Sequence, residues 1–237
     1  MGEGSVDLLE VQGIDVAYGH AKVLHHVSLK LDQGEMVFIV GRNGAGKTTL
    51  LQTISGHLKP TAGCILYQGK EVHGQPVEKL ARLGIRFVAQ DKKVFSNLTV
   101  RGNIELASYA TGEDLGQAVE RLTRLYPKFQ DFLGRKAGGL SGGQREILLI
   151  GRALVASPRL LLIDEPTEGL AAIVIEDIFR ILMEMKQEKV STFIVEQNLS
   201  IVSRLADRIY IMKEGKIIKE MVDPAEVRNT AELESYL

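Results

Sequence analysis

The stretch that decides the fold reads Met36-Val37-Phe38-Ile39-Val40-Gly41-Arg42-Asn43-Gly44-Ala45-Gly46-Lys47-Thr48. Five apolar residues in a row, without polar alternation, suit a strand buried on both faces. The eight that follow fit G-x-x-x-x-G-K-[ST] in full, and a helical pattern over residues 47–55 opens directly behind them. The order of strand, glycine-rich turn and helix gives the motif a mechanical meaning. The glycines let the backbone turn tightly and aim successive N–H groups at phosphate oxygens. The helix brings the positive end of its dipole to the same spot. Lys47 can neutralise phosphate charge there, and Thr48 offers its hydroxyl to a divalent cation.

Working outward, four more short apolar runs read as strands: residues 85–89, 160–164, 192–196 and 208–212. Helical patterns over 144–156 and 174–186 lie among them. Strand, helix and strand in turn predict an α/β fold of the P-loop NTPase kind, a parallel-sheet core joined by right-handed crossovers. The first 35 residues read differently. Residues 8–16 and 27–31 read as antiparallel strands, and 63–69 as a third strand of the same small sheet. Residues 91–157 carry no strand signal and read as an inserted helical subdomain. Its 10 basic and 7 acidic residues describe a solvated helical face rather than a binding patch.

The second carrier of chemistry is Leu160-Leu161-Leu162-Ile163-Asp164-Glu165. An apolar strand ending in two carboxylates delivers them to the carboxyl edge of a parallel sheet, where ligands of such sheets bind. An acidic turn after a strand is common. Downstream of a P-loop, Asp164 reads as a holder of Mg²⁺ and Glu165 as the group that orients and polarises the attacking water.

Composition excludes several classes. Twenty-nine Lys and Arg against 30 Asp and Glu leave a net charge of −1, without the basic excess of a general nucleic-acid binder. A single cysteine, Cys64, excludes an internal disulfide framework and a cysteine-rich zinc site. Residues 1–7 lack the basic-then-apolar order of a signal peptide, and no apolar run approaches the ~20 residues of a membrane span. No repeat or linker marks a cut, so residues 1–237 read as one domain.

Leu140-Ser141-Gly142-Gly143-Gln144 narrows the choice. Two glycines after a serine, opening a helix, make a second backbone corner fit for an anion, although one nucleotide needs only one P-loop. With this motif 23 positions before Asp164, the sequence resembles the ATP-binding cassette (ABC) ATPases along nearly its whole length. The resemblance implies ATP and Mg²⁺ as ligands. It implies that Tyr18 stacks on adenine, and that residues 41–48 with Thr49 hold the nucleotide. Thr48, Asp164 and Gln90 would form the metal environment. Two copies would pair head-to-tail, so that Ser141, Gly142, Gly143 and Gln144 of one close over the nucleotide of the other. Transmembrane permease subunits are implied as partners, and an extracytoplasmic solute-binding protein in the assembled complex. The chain itself would sit peripherally on the cytoplasmic face of the cell membrane, with no role for nucleic acid.

Within that family the sequence looks most like the ATPase subunits of importers for branched-chain amino acids and related polar solutes such as urea. The residues behind this are Val94-Phe95-Ser96-Asn97-Leu98-Thr99-Val100, Ile150-Gly151-Arg152-Ala153-Leu154 and Val195-Glu196-Gln197-Asn198. The chain ends about twenty residues after Lys216, which leaves no room for an appended regulatory domain. Two other readings share the same motor: a soluble ATPase for protein or cofactor assembly, and a lipid or lipopolysaccharide exporter. Departures are specific. Gln197 stands at the family's switch histidine, where an amide can donate a hydrogen bond to the γ-phosphate but cannot become cationic. Thr167-Glu168-Gly169-Leu170-Ala171 replaces the common Ser-Ala-Leu-Asp. The five histidines, 20, 25, 26, 57 and 73, read as surface or packing residues. Cys64 reads as a small buried residue, and Ile173, Ile175, Ile178, Ile181 and Leu182 as a core helix face.

Overall fold

The computed structural model describes residues 7–91 and 93–236; the N-terminal stretch 1–6, whose sequence was read above, lies outside them, as do Lys92 and Leu237. β1 (Asp7–Tyr18) and β2 (Ala21–Asp32) form a hairpin, β3 (Met36–Val40) leads into α1 (Lys47–Ile54), and β4 (Ala62–Tyr67) turns into the short β5 (Lys70–Glu71). Next come α2 (Val77–Arg82) and β6 (Ile85–Val88). The stretch that follows holds α3 (Val100–Thr111), α4 (Leu115–Leu125), two 3-10 turns at Pro127–Phe132 and Ala137–Gly139, and α5 (Gly142–Leu154). The chain returns through β7 (Leu160–Asp164), α6 (Ala172–Gln187), β8 (Thr192–Val195) and α7 (Leu199–Leu205). It closes with β9 (Arg208–Lys213), β10 (Lys216–Met221), α8 (Pro224–Val227) and α9 (Thr230–Tyr236). No helix among the described residues is long and apolar enough to cross a membrane.

Ten strands make two sheets, a four-stranded one in the order β2-β1-β4-β5 and a six-stranded one in the order β10-β9-β3-β8-β7-β6. The small sheet is antiparallel throughout, as the N-terminal pattern predicts. In the large sheet β9, β3, β8, β7 and β6 run parallel, and β3 lies inside it. The five strands read from the sequence thus form the expected parallel core; the last member, β10, which the sequence reading did not include, is antiparallel to β9. The turn between them has two residues, Glu214 and Gly215, both with positive φ (48° and 75°), the backbone of a tight hairpin whose twist suits the flanking strands.

The unalternated strands are apolar because both faces of the sheet are covered. Met36, Phe38 and Val40 pack into a core shared with the helices of residues 100–155 and with α6. Val37 and Ile39 pack into a second core, against the small sheet and α1. β7 divides in the same way, with Leu161 and Ile163 on one side and Leu160 and Leu162 on the other. One strand therefore contributes to two cores, and its carboxyl end is held in place from both sides.

The helical insertion is built from local caps. Thr99 accepts from Gly102 N, Asp114 from Gln117 N, and Ser141 from Gln144 N. A single bridge, Thr99 with Lys136, is its only strand-like pairing among the described residues. The insertion is tied to α6 by the Tyr126 hydroxyl, which donates to Asp177 at 2.9 Å, and by Lys128, which pairs with the same carboxylate. Burial and the Asp177 carboxylate both push the Tyr126 hydroxyl far above its ordinary pKa, so it stays a donor.

Candidate nucleotide site

Residues 41–46 leave the end of β3 and run into α1, as the motif requires. Gly46 takes φ +102° at the N-cap of α1, and no side chain caps that helix. The first N–H groups of α1 therefore have no side-chain acceptor of their own, which suits an anion. Lys47 is almost fully buried. Its Nζ donates to Gly41 O (2.7 Å) and Arg42 O (3.1 Å) and lies 3.5 Å from Glu165 Oε1. The ammonium is thus fixed across the loop between the glycine turn and the end of β7.

Asp164 and Glu165 differ in what holds them. Both oxygens of Asp164 are buried, and neither has a hydrogen-bond partner. The Thr48 hydroxyl faces the carboxylate and favours its charged form, without a hydrogen bond of normal geometry. Burial outweighs this and pushes Asp164 up to about 6. Glu165 takes the left-handed φ of +49°, an uncommon conformation for this residue type, locked by its N–H on Val195 O at 2.9 Å. Its Oε1 accepts from Gln197 Nε2 at 2.8 Å and its Oε2 from Gln90 Nε2 at 3.4 Å. The same Gln197 amide donates to Asn43 Oδ1 at 2.8 Å, linking β8's end, the P-loop and Glu165. Gln90 makes a shorter bond to Glu168 Oε2, 2.6 Å.

Sequence reasoning gave Glu196 no role in the site. Buried at the end of β8, it accepts from the Thr167 hydroxyl (2.9 Å) and from the N–H groups of Gln197 (2.8 Å) and Asn198 (3.0 Å). Burial raises its pKa against these bonds. Glu196 thereby ties the loop after Glu165 to the loop that carries Gln197. A charged residue closing an otherwise apolar strand was the available signal.

The second corner is built differently. Ser141 is the N-cap of α5: its Oγ accepts from Gln144 N, and the Gln144 side chain accepts from Ser141 N, both at 3.2 Å. This capping box starts α5 at Gly142, two residues ahead of the expected start, so both glycines lie in the first helical turn. Gly143 is buried, and a Cβ there would fall 2.3 Å from Val174 Cγ1 on α6. Gly142 is open, its nearest neighbour being Leu170 Cδ2 at 3.9 Å. Gly143 is required by packing within the chain; Gly142 is not.

Tyr18 closes β1 half-exposed, with its hydroxyl 3.5 Å from Thr49 Oγ1 and donating to Gln52 Oε1 at 3.3 Å, beside α1. Two packing expectations change. Cys64 is half-buried on the outer side of β4, where alternation places it, and donates to Gln12. Ile173 is 69% exposed, because the buried face of α6 runs through Ile178, Ile181, Leu182 and Met185. Among the described residues no three His, Cys, Asp or Glu side chains form a metal cage. A sparse set of one carboxylate and one hydroxyl beside a phosphate loop suits Mg²⁺, which keeps waters and takes substrate phosphates as ligands. The unpartnered Asp164 oxygens fit that ion.

The comparisons agree on one family. The family model described as ABC transporter matches residues 24–168. A relative from Pseudomonas aeruginosa, the high-affinity branched-chain amino acid transport ATP-binding protein BraG, is 38% identical over 97% of this chain and 99% of its own length. Among solved structures, a nucleotide-free ATP-binding cassette from an ABC transporter is 29% identical, with a TM-score of 0.85, and covers 98% of this chain and 99% of its own. A dimeric ATP-binding cassette in a post-hydrolysis state, bound to ADP and Pi, is 26% identical with a TM-score of 0.79 over 90% of this chain and 98% of its own.

Proposed function

The chain belongs to the ABC transporter family and is an ATPase, and on that premise we propose that it powers the import of branched-chain amino acids or a closely related small polar solute. The observation that carries the chemistry is Asp164, a buried carboxylate with two unpartnered oxygens, opposite Thr48 and beside a phosphate loop. The solute class follows from the likeness to the Pseudomonas relative over nearly the full length of both chains.

The reaction transfers the γ-phosphoryl group of ATP to water. A P–O bond forms to the water oxygen, the bond to the β,γ-bridging oxygen breaks, and ADP leaves. The protein supplies positioning and electrostatics. The N–H groups of residues 41–46 and the start of α1 receive the phosphates. Lys47 turns from Gly41 O and Arg42 O towards them. Thr48, Asp164 and Gln90 would hold Mg²⁺ and its waters, and the ion would supply charge neutralisation on the phosphates. Glu165, aimed by Gln197 and Gln90, orients the water and takes up its proton. Gln197 does this as a neutral donor, so this position adds no titrating group. Tyr18 offers its half-exposed ring for adenine to stack on.

The corner of Ser141, Gly142 and Gly143 acts on the nucleotide of a second ATP-binding subunit, in a head-to-tail pair. Permease subunits, with a solute-binding protein outside, complete the complex at the cytoplasmic face of the membrane. The fold offers these permeases a groove of ≈ 1090 Å³ between the insertion and β6. Five cationic side chains line it, Arg86 and Arg152 among them, against Glu78 and Asp91, which suits a short acidic segment of a permease. The test is the isolated complex: ATP hydrolysis should rise on addition of a branched-chain amino acid with its binding protein. A complex without polytopic subunits, or one indifferent to every such solute, contradicts the proposal.

A further inference from the structure

The phosphate loop is shaped from the side opposite its N–H donors by the β9–β10 hairpin. A Cβ on Gly41 would lie 2.3 Å from the carbonyl oxygen of Met212, the residue next to the end of β9. A Cβ on Gly46 would meet Leu24 Cδ2 at 2.8 Å and Met212 Cε at 3.2 Å, with Gly215 Cα at 3.6 Å. The hairpin turn is itself bonded to the loop, since Gly215 N donates to Ala45 O at 2.9 Å. Gly215 O in turn accepts from His25 N at 2.9 Å, so one residue links the loop to β2. Gly215 has no alternative: its φ is +75°, and a Cβ would fall 2.0 Å from Val23 O and 2.8 Å from His25 Cδ2. Gly41 is thus demanded by the backbone packed behind it, and Gly46 by its φ of +102°, besides any demand made by phosphate.

We infer that Gly215 is a positioning residue for nucleotide binding, holding the loop in its phosphate-receiving shape through Ala45 O. The contact is made on the acceptor side of the loop, whereas phosphate is met by N–H donors, so hairpin and nucleotide do not compete. A substituent at Gly215 must push the turn away from β2, and the turn takes its N–H off Ala45 O as it goes. The loop then loses its backing where Gly46 begins α1. The inference rests on the reading of residues 41–48 as the nucleotide's phosphate site.

Gly69 supplies the control. It sits in the β4–β5 hairpin turn with nearly the same φ, +71°, and a Cβ there meets nothing within 4 Å. Gly215→Ala and Gly69→Ala therefore share the backbone strain, and only the first bears on the loop. ATP affinity is measured for both and for the parent, below the melting point of each. Gly215→Ala should bind ATP at least about tenfold more weakly, with KM raised more than kcat is lowered, and Gly69→Ala should stay within about twofold of the parent. Equal affinity in folded Gly215→Ala, or an equal loss in Gly69→Ala, overturns the inference. A parent that does not bind ATP overturns the reading of the loop instead. Should Gly215→Ala fail to fold, hydrogen exchange in the unaltered protein decides: ATP should slow exchange of the Gly215 amide, and an unchanged rate in the ATP-bound protein contradicts the link.

Discussion

Two glycine corners open helices in this chain, and they are finished in opposite ways. At α1 the N-cap is Gly46, which carries no capping side chain, and the corner is backed by Met212 and Gly215. Lys47 lies buried within it, and Asp164 and Glu165 close it. At α5 the N-cap is Ser141, which with Gln144 satisfies its own helix start, the side chain of each bonding the backbone N–H of the other. What remains open there are the N–H groups of Gly142 and Gly143, which a helix cannot pair internally. The first corner has its charges, Lys47, Asp164 and Glu165, assembled in one chain. The second is a donor surface, on the proposed reading half of a site. Similar sequence devices, glycines before a helix, are therefore finished differently according to whether the fold brings carboxylates and a lysine to them.

The comparison can be broken at several strengths. Lys47→Ala removes the buried cation of the first corner, and turnover should fall by a factor of order 10² to 10³, with weaker ATP binding. Parental turnover in that variant would contradict the assignment of the corner. A sharper pair separates the two glycines of the second corner. Gly143→Ala drives a Cβ into Val174 and should cost about 1–3 kcal/mol of stability in a denaturant melt. Gly142→Ala should keep full stability, having room to Leu170, and still lower turnover roughly tenfold, because its surface must approach a nucleotide held elsewhere. Unchanged turnover in folded Gly142→Ala would remove the second corner from the reaction.

A weaker effect tests the unpaired carboxylate of the first corner. Asp164 rises from an ordinary 3.8 to about 6, so the metal-free folded chain binds this proton more tightly than the unfolded chain. Stability then falls as pH rises from about 4 to about 6, and the cost is fully present above. With divalent ions chelated, Asp164→Asn should be more stable than the parent at pH 7.5, by up to about 3 kcal/mol. The gain should vanish below about pH 4, where the carboxyl is already neutral; a gain that persists there has another source. The smallest effect belongs to Gln197. Its amide aims Glu165 and holds Asn43, and Gln197→Ala should lower kcat a few-fold with little change in KM for ATP.

These differences mark what was legible in the sequence. β3 and β7 were readable to the residue because each fills two cores at once and so carries no polar alternation. The P-loop was readable because strand, glycines and helix adjoin. The start of α5 was misplaced by two residues, since a glycine pair looks non-helical until Ser141 and Gln144 are seen to cap one another. β10 escaped notice because an edge strand mixes Lys216, Ile217, Ile218 and Lys219 without a clean period. No local pattern reveals that Gly143 exists for Val174, or Gly41 for Met212: those partners lie far along the chain, and only the fold brings them together. Glu196 was hidden for the same reason, since its partner Thr167 belongs to another loop.

The central claim is that the two corners of different subunits meet over ATP. Glu165→Gln keeps the side chain's length and removes the carboxylate proposed to take the water's proton, so ATP should bind without being consumed. The measurement is molecular mass by light scattering with ATP and Mg²⁺, on the isolated subunit and within its complex. The account predicts that Glu165→Gln accumulates an ATP-dependent pair of ATPase subunits, and that adding Ser141→Arg to it abolishes the pair. ATP hydrolysis at the parental rate by Glu165→Gln, or an ATP-dependent pair that survives Ser141→Arg, would contradict it.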